Sequence, residues 1–255
     1  MPIRNGLIKP LKRNAQMISW FGPPCRTSNL TSVKTAVFSR MYVHRRVAEA
    51  FQAVMAAIVE GGDADLIDRG DYGGTYCCRT VRGSTAKSPH SWAVAADLNV
   101  HHFQGSDGGE VKLGRNNFHC KRSEIALSLE LLAPYFNAWG FSWGGHWNTA
   151  YIDPMHYEAT ELTVKVLEGG LSLDETGFIN WIRKGVGIPA IGNEEPETAL
   201  KVVLLPGSDL IKCAPALEAG TTRCNLRGLA EALGYEVIVE HMDEGKIYLR
   251  AKGGD

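Results

Sequence analysis

The segment Ala93-Val94-Ala95-Ala96-Asp97-Leu98-Asn99-Val100 constrains the fold more tightly than any other stretch of the chain. Ala93, Ala95, Asp97 and Asn99 share one side of an extended backbone, and Val94, Ala96, Leu98 and Val100 share the other. This period of two predicts a half-buried strand. One face is apolar enough to join a core, and the other is small and polar enough to floor a cleft. His90 precedes the strand and follows Pro89, which predicts a loop position beside it. Further along runs Ile152-Asp153-Pro154-Met155-His156-Tyr157-Glu158. Pro154 disfavours helical backbone at Asp153, so Asp153 and His156 are expected on an extended segment that turns.

His90, Asp97 and His156 supply two imidazoles and a carboxylate, and Asp153 is a spare carboxylate. A hydrolytic zinc site needs that inventory: three protein ligands, a fourth position for water, and a nearby general base. Spacing alone leaves a second reading open. Among eight histidines a His–Asp pair arises easily, and a buried one is commonly structural. His101 and His102 follow the strand directly and are read as solvated loop residues, and His119 and His146 have no assigned role.

The motifs around these residues separate the two readings. Ser88-x-His90 followed by Ala95-x-Asp97 resembles the Ser-x-His-x-x-Gly-x-Ala-x-Asp signature of a zinc peptidase family. That family includes D-alanyl-D-alanine carboxypeptidases and phage L-alanyl-D-glutamate endolysins. Trp143-Gly144-Gly145-His146-Trp147 and Asp153-Pro154-Met155-His156-Tyr157-Glu158 resemble its Trp-Gly-Gly-Asp-Trp and Asp-x-x-His-Phe-Glu motifs. Gly73-Gly74-Thr75-Tyr76-Cys77-Cys78-Arg79 is similar to the segment that supplies a substrate-binding arginine. The resemblance spans roughly residues 40–160. Three departures stand out: Ala93 replaces a glycine, His146 an aspartate and Tyr157 a phenylalanine. None removes a ligand or the base.

The resemblance implies that His90, Asp97 and His156 hold Zn²⁺, that Asp153 is the general base, and that Arg79 binds a substrate carboxylate or steadies an oxyanion. It implies hydrolysis of a peptidoglycan stem peptide, of the L-Ala-D-Glu type, by a phage or prophage endolysin. One alternative shares the site and acts on D-Ala-D-Ala termini as a carboxypeptidase or dipeptidase. Another is a non-catalytic wall-binding protein on a peptidase fold, which would have no need of the spare carboxylate.

Bulk properties narrow the setting. A net charge of −1 gives no sign of a nucleic-acid partner. No apolar run approaches the length of about 20 residues needed to span a bilayer. Met1 to Trp20 lacks the apolar core of a secretory signal, so the expectation is synthesis in the cytoplasm and action on the wall after release. On that expectation Cys25, Cys77, Cys78, Cys120, Cys213 and Cys224 are free thiols with packing roles.

The fold class expected is α+β: a small, mostly antiparallel sheet flanked by helices and carrying the zinc site, with a small C-terminal αβ module. Residues 1–40 read as an irregular lead-in, 41–184 as the peptidase domain, 185–199 as a Gly/Pro-rich linker, and 200–255 as the module. Val43, Val47, Phe51, Val54 and Ile58 predict a helix stopped at Gly61-Gly62. The glycines of 101–121 predict a long covering loop, and Pro134 a second helix after Ser123–Leu132. Strand character appears at Val202–Leu205, Tyr235–Glu240 and Lys246–Arg250, and a helix at Leu226–Leu233. Thr221 to Val237 resembles the repeat of copper-amine-oxidase N-terminal-like stalk domains, with Cys224 in place of a proline, which implies a wall-associated role for the module.

Overall fold

The structure is a computed structural model that describes residues 3–4, 7–12, 14–147 and 152–192, and beyond them 201–204, 210–214, 235–238 and 247–251. A hairpin of β1 (Ile3–Arg4) and β2 (Leu7–Ile8) leads to α1 (Ala15–Phe21), then to the antiparallel pair β3 (Leu30–Val33) and β4 (Met41–His44). Next come α2 (Ala48–Glu60), β5 (Ala95–Asp97), and a hairpin of β6 (His102–Gln104) and β7 (Glu110–Lys112). The order closes with α3 (Leu127–Asn137), β8 (Ser142–Trp143), β9 (His156–Glu158), α4 (Glu161–Glu168) and α5 (Leu173–Gly185). Helices and small antiparallel sheets are thus mixed, in keeping with α+β.

The core forms where the helical stripes meet. Phe51, Val54, Met55 and Ile58 of α2 and Leu129, Leu132 and Phe136 of α3 are fully buried. Phe51 meets Phe141 edge-on at 4.9 Å, and Phe136 stacks on Tyr157 at 4.1 Å. Each such side chain contributes about 1.5–3 kcal/mol on burial. Side-chain caps start α4 and α5: Thr160 accepts from the Leu162 N–H, and Ser172 from that of Glu175.

The sheet that matters for function has the order β5-β9-β8, so β9 is central. Asp97 pairs with His156, Ala96 with Tyr157, and Ala95 with Glu158. Side chains directly opposed in an antiparallel pair lie on the same face. Asp97, His156 and Glu158 therefore share one face, while Tyr157 turns to the core.

Several expectations need correction. Only Ala95–Asp97 is strand, and Ala93 to Asn99 is buried throughout rather than on one face. Ala93 and Asn99 take positive φ, 56° and 47°, and break the alternation at both ends. Residues 1–40 are not an irregular lead-in: they contain α1 and β3 and send Met17, Phe21, Val37 and Phe38 into the core. The 101–121 stretch carries the β6–β7 hairpin, and α3 runs through Pro134 without a break. The helix predicted from Val43 begins at Ala48, because Val43 belongs to β4.

The cysteines also depart from expectation, since Cys25 and Cys78 form a disulfide across 53 residues of chain. Closing a loop of 53 residues stabilises by up to about 4 kcal/mol through lost unfolded-state entropy. A dithiol reductant, or Cys25→Ser, is therefore expected to lower the thermal midpoint of the purified protein. Identical melts with and without reductant would show that the bond contributes nothing. Cys77 and Cys120 are free.

Contacts divide the chain into two units, Met1–Ile191 and Gly192–Asp255. The described part of the expected linker is packed: Val186 and Ile188 lie against the main core, and the Ile191 N–H donates to Asn180 Oδ1 at 2.7 Å. In the second unit, β10 (Lys201–Leu204), β11 (Leu210–Ala214), β12 (Tyr235–Ile238) and β13 (Ile247–Ala251) form an antiparallel sheet of order β10-β11-β13-β12. The expected helix Leu226–Leu233 and most of the stalk-like motif lie outside the described residues. A chain ending at Gly192 is expected to stay soluble and to melt cooperatively, as circular dichroism would record. Insoluble protein would mean that the tail completes the first unit.

Candidate metal centre and catalytic cleft

His90 sits in a single 3₁₀ turn, Pro89–Trp92, that the N-terminal segment braces. The Cys25 N–H donates to Ser91 O at 2.7 Å, and Trp92 Nε1 donates to Gly22 O at 2.6 Å. The ring's Nδ1 lies 3.1 Å from the Thr75 carbonyl. A carbonyl only accepts, so Nδ1 carries the hydrogen and the Nε2 lone pair is left for the site.

Asp97 is held by a close backbone approach. The Gly73 N–H donates to Asp97 O at 2.8 Å, and the Asp97 N–H donates to Gly74 O at 3.2 Å. A Cβ at Gly73 would lie 2.8 Å from the Asp97 Cβ, so a side chain there would push the aspartate away. His156 is oriented by Glu158, two residues on along the same face of β9. His156 Nε2 lies 2.9 Å from Glu158 Oε2, which fixes the hydrogen on Nε2 and turns Nδ1 toward Asp97.

Three donor atoms converge. His156 Nδ1 is 2.9 Å from Asp97 Oδ1, His90 Nε2 is 3.2 Å from Asp97 Oδ2, and the two ring nitrogens are 3.3 Å apart. Tetrahedral zinc with bonds of roughly 2.0–2.2 Å separates its donors by about 3.3–3.6 Å. At these distances the three donors need positive charge between them, and two imidazole nitrogens with one carboxylate are a donor set that fits zinc. Burial raises the Asp97 carboxyl, but His90 and His156 outweigh it and hold it below the usual carboxylate range.

Asp153 completes the cluster. It is buried, and its Oδ1 has no hydrogen-bond partner among the described residues. Burial, with Asp97 and Glu158 adding repulsion, pushes its carboxyl up to about 6 against the pull of His156 and His90. Gly144 makes room for it: a Cβ there would lie 2.1 Å from Asp153 O. Asp153 and His156 line a cavity of about 250 Å³ together with Arg79, Arg82, Phe118 and Trp147. A hydrolytic centre requires these parts: a cation seat, a buried carboxylate of raised pKa, and an open cleft beside them.

The sequence-predicted residues His90, Asp97, Asp153, His156 and Arg79 are therefore brought to one place. Trp147 walls the cleft, whereas Phe141 and Trp143 are core. Sequence reasoning assigned no role to Glu158 or the Thr75 carbonyl, although the His-x-Glu spacing on a strand is the signal that reveals the first. His101 and His102 are not free loop residues: His101 Nδ1 lies 2.6 Å from Asp71 Oδ1, and His102 Nε2 lies 3.2 Å from Asp68 Oδ2. Asp68, Asp71 and His102 form a second group able to hold a metal. Lys112 Nζ, 2.8 Å from Asp68 Oδ2, already supplies its positive charge.

Residues 82–159 match a family model described as D-alanyl-D-alanine carboxypeptidase. The match covers under a third of the 255-residue chain, contains all four clustered residues, and leaves Arg79 outside. No curated protein and no solved structure matches the chain.

Proposed function

We propose that the protein is a zinc-dependent peptidase that hydrolyses a peptide bond in peptidoglycan stems. The observation that carries this is the convergence of His90 Nε2, Asp97 and His156 Nδ1 beside the buried Asp153 carboxylate, in a cleft lined by arginines. The family-model match over the same residues supports it. His90, Asp97 and His156 would hold the metal. Zinc supplies Lewis acidity, bringing the pKa of a water towards about 7 and polarising the scissile carbonyl.

The chain's own residues do the rest. Thr75 O and Glu158 fix which nitrogen of each imidazole faces the site. Asp153 takes the proton of the attacking water and delivers it to the leaving amine. Burial shifts that carboxyl upward, the direction that suits a general base and acid better than an ordinary aspartate. Arg79 offers a planar fork to a substrate carboxylate or to the oxyanion.

The bond assigned is of the L-Ala-D-Glu type, cut by an endolysin that reaches the wall after release from the cytoplasm. The C-terminal unit is assigned a wall-associated role. The family model's description favours a second reading of the same site, removal of a terminal D-alanine. Digestion of purified peptidoglycan followed by mass analysis separates them: free stem peptides without their N-terminal alanine support the first, and released D-alanine the second. Intact peptidoglycan after incubation with zinc-loaded protein would overturn both.

A further inference from the structure

Arg79 and Arg82 line the same cavity as Asp153 and His156 and sit three positions apart on one hairpin. The hairpin is closed by the Thr80–Lys87 bridge. Both residues are exposed, and neither side chain has a hydrogen bond or ion pair among the described residues. Among the described residues that line the cleft, every other side chain is apolar, neutral or part of the metal–carboxylate cluster.

Their backbones, in contrast, are held. The Arg79 N–H donates to Ser91 Oγ at 3.1 Å, and that hydroxyl donates to Arg79 O at 2.8 Å. Cys78, the preceding residue, is tied by its disulfide to Cys25. Arg82 occupies the second place of the turn Val81-Arg82-Gly83-Ser84, closed by the Ser84 N–H donating to Val81 O at 3.0 Å. Gly83 stands at φ 72°, as the third place of such a turn requires. Two guanidiniums are thus presented from an anchored hairpin to one cleft, with no hydrogen bond or ion pair to another described residue.

We infer that Arg79 and Arg82 each bind a separate carboxylate, so that the favoured substrate is a peptide bearing two free carboxylates close to the scissile bond. This rests on the peptidase reading and narrows its substrate. One guanidinium satisfies one carboxylate bidentately, and a second fork three residues away on the same anchored hairpin is placed to take a second anion. A stem in which a γ-linked D-glutamate is followed by a diamino acid with its own free carboxylate meets the requirement. A stem amidated at either carboxylate does not, and a bare D-Ala-D-Ala terminus presents one anion alone.

The test uses synthetic stem peptides with both carboxylates free, with either one amidated, and with both amidated. Their hydrolysis by the zinc-loaded protein is followed, and their binding to the zinc-loaded Asp153→Asn variant is measured by calorimetry. Each amidation is expected to weaken binding about tenfold or more, and to lower kcat/KM by a similar factor. Arg82→Gln should abolish the penalty for one amidation and keep the penalty for the other, and Arg79→Gln should do the converse. Equal binding of free and amidated peptides would overturn the inference while hydrolysis of both left the peptidase reading intact. Discrimination in binding without hydrolysis of any peptide by the wild type would instead uphold the two-carboxylate site and overturn the peptidase reading.

Discussion

Asp153→Asn is expected to lower turnover on peptidoglycan by on the order of 10²–10⁴, the usual contribution of a positioned general acid–base, with little change in zinc content or thermal midpoint. The amide is nearly isosteric, so the packing against Gly144 is kept. The backbone bonds to Gly144 O and from the His156 N–H are untouched. Lost is a carboxylate that can take up and return a proton. The buried Oδ1 makes the variant informative about stability as well: a carboxylate without a hydrogen bond among the described residues is no stabilising cap. A residue that only capped the following turn would cost about 0.5–2 kcal/mol on removal and leave catalysis alone. An Asp153→Asn protein that melts early yet hydrolyses at a normal rate would sink the assignment.

The second large effect is expected from His156→Ala: loss of bound zinc and of activity together, with marked destabilisation. The ring stands between Asp97 Oδ1 and Glu158 Oε2, both at 2.9 Å, and Glu158 is fully buried. Removing the ring takes a hydrogen-bond partner from the buried Glu158 carboxylate and one of the two imidazoles from Asp97, and breaking buried pairs of this kind costs about 3–5 kcal/mol. His101→Ala, in the partly exposed network with Asp71, is expected to keep both zinc and activity. Full zinc occupancy in His156→Ala, measured by elemental analysis, would remove that residue from the ligand set.

The cluster was legible because its residues lie in two short motifs that resemble a zinc peptidase family's signatures; spacing alone left a structural His–Asp pair open. The strand geometry then does what the motifs require: register places Asp97 opposite His156. What escaped the sequence had no period to read. The strands of β6 and β7 are three residues each, too short for alternation to separate them from a glycine-rich loop. The buried residues Met17 and Phe21 of α1 are four apart, but a seven-residue helix holds too little of the repeat to be seen. Cys25 and Cys78 carry no spacing signature, and their pairing follows from the N-terminal segment folding back on the His90 turn. Ala93, where the resembled family has glycine, stands at φ 56°, so the motif's glycine reflects a left-handed position that alanine here occupies nonetheless.

The strand order has a consequence for how the protein comes into being. β5 and β8 do not pair with each other, and both pair with β9, the last of the three to be synthesised. A chain emerging from the ribosome carries His90 and Asp97 long before it carries the strand that joins them to a third donor. Until residues 156–158 have emerged and inserted, neither this sheet nor the complete cation seat can form. A nascent or prematurely terminated chain that stops short of His156 therefore holds no hydrolytic centre, and the activity proposed here switches on only with the closing of the central strand.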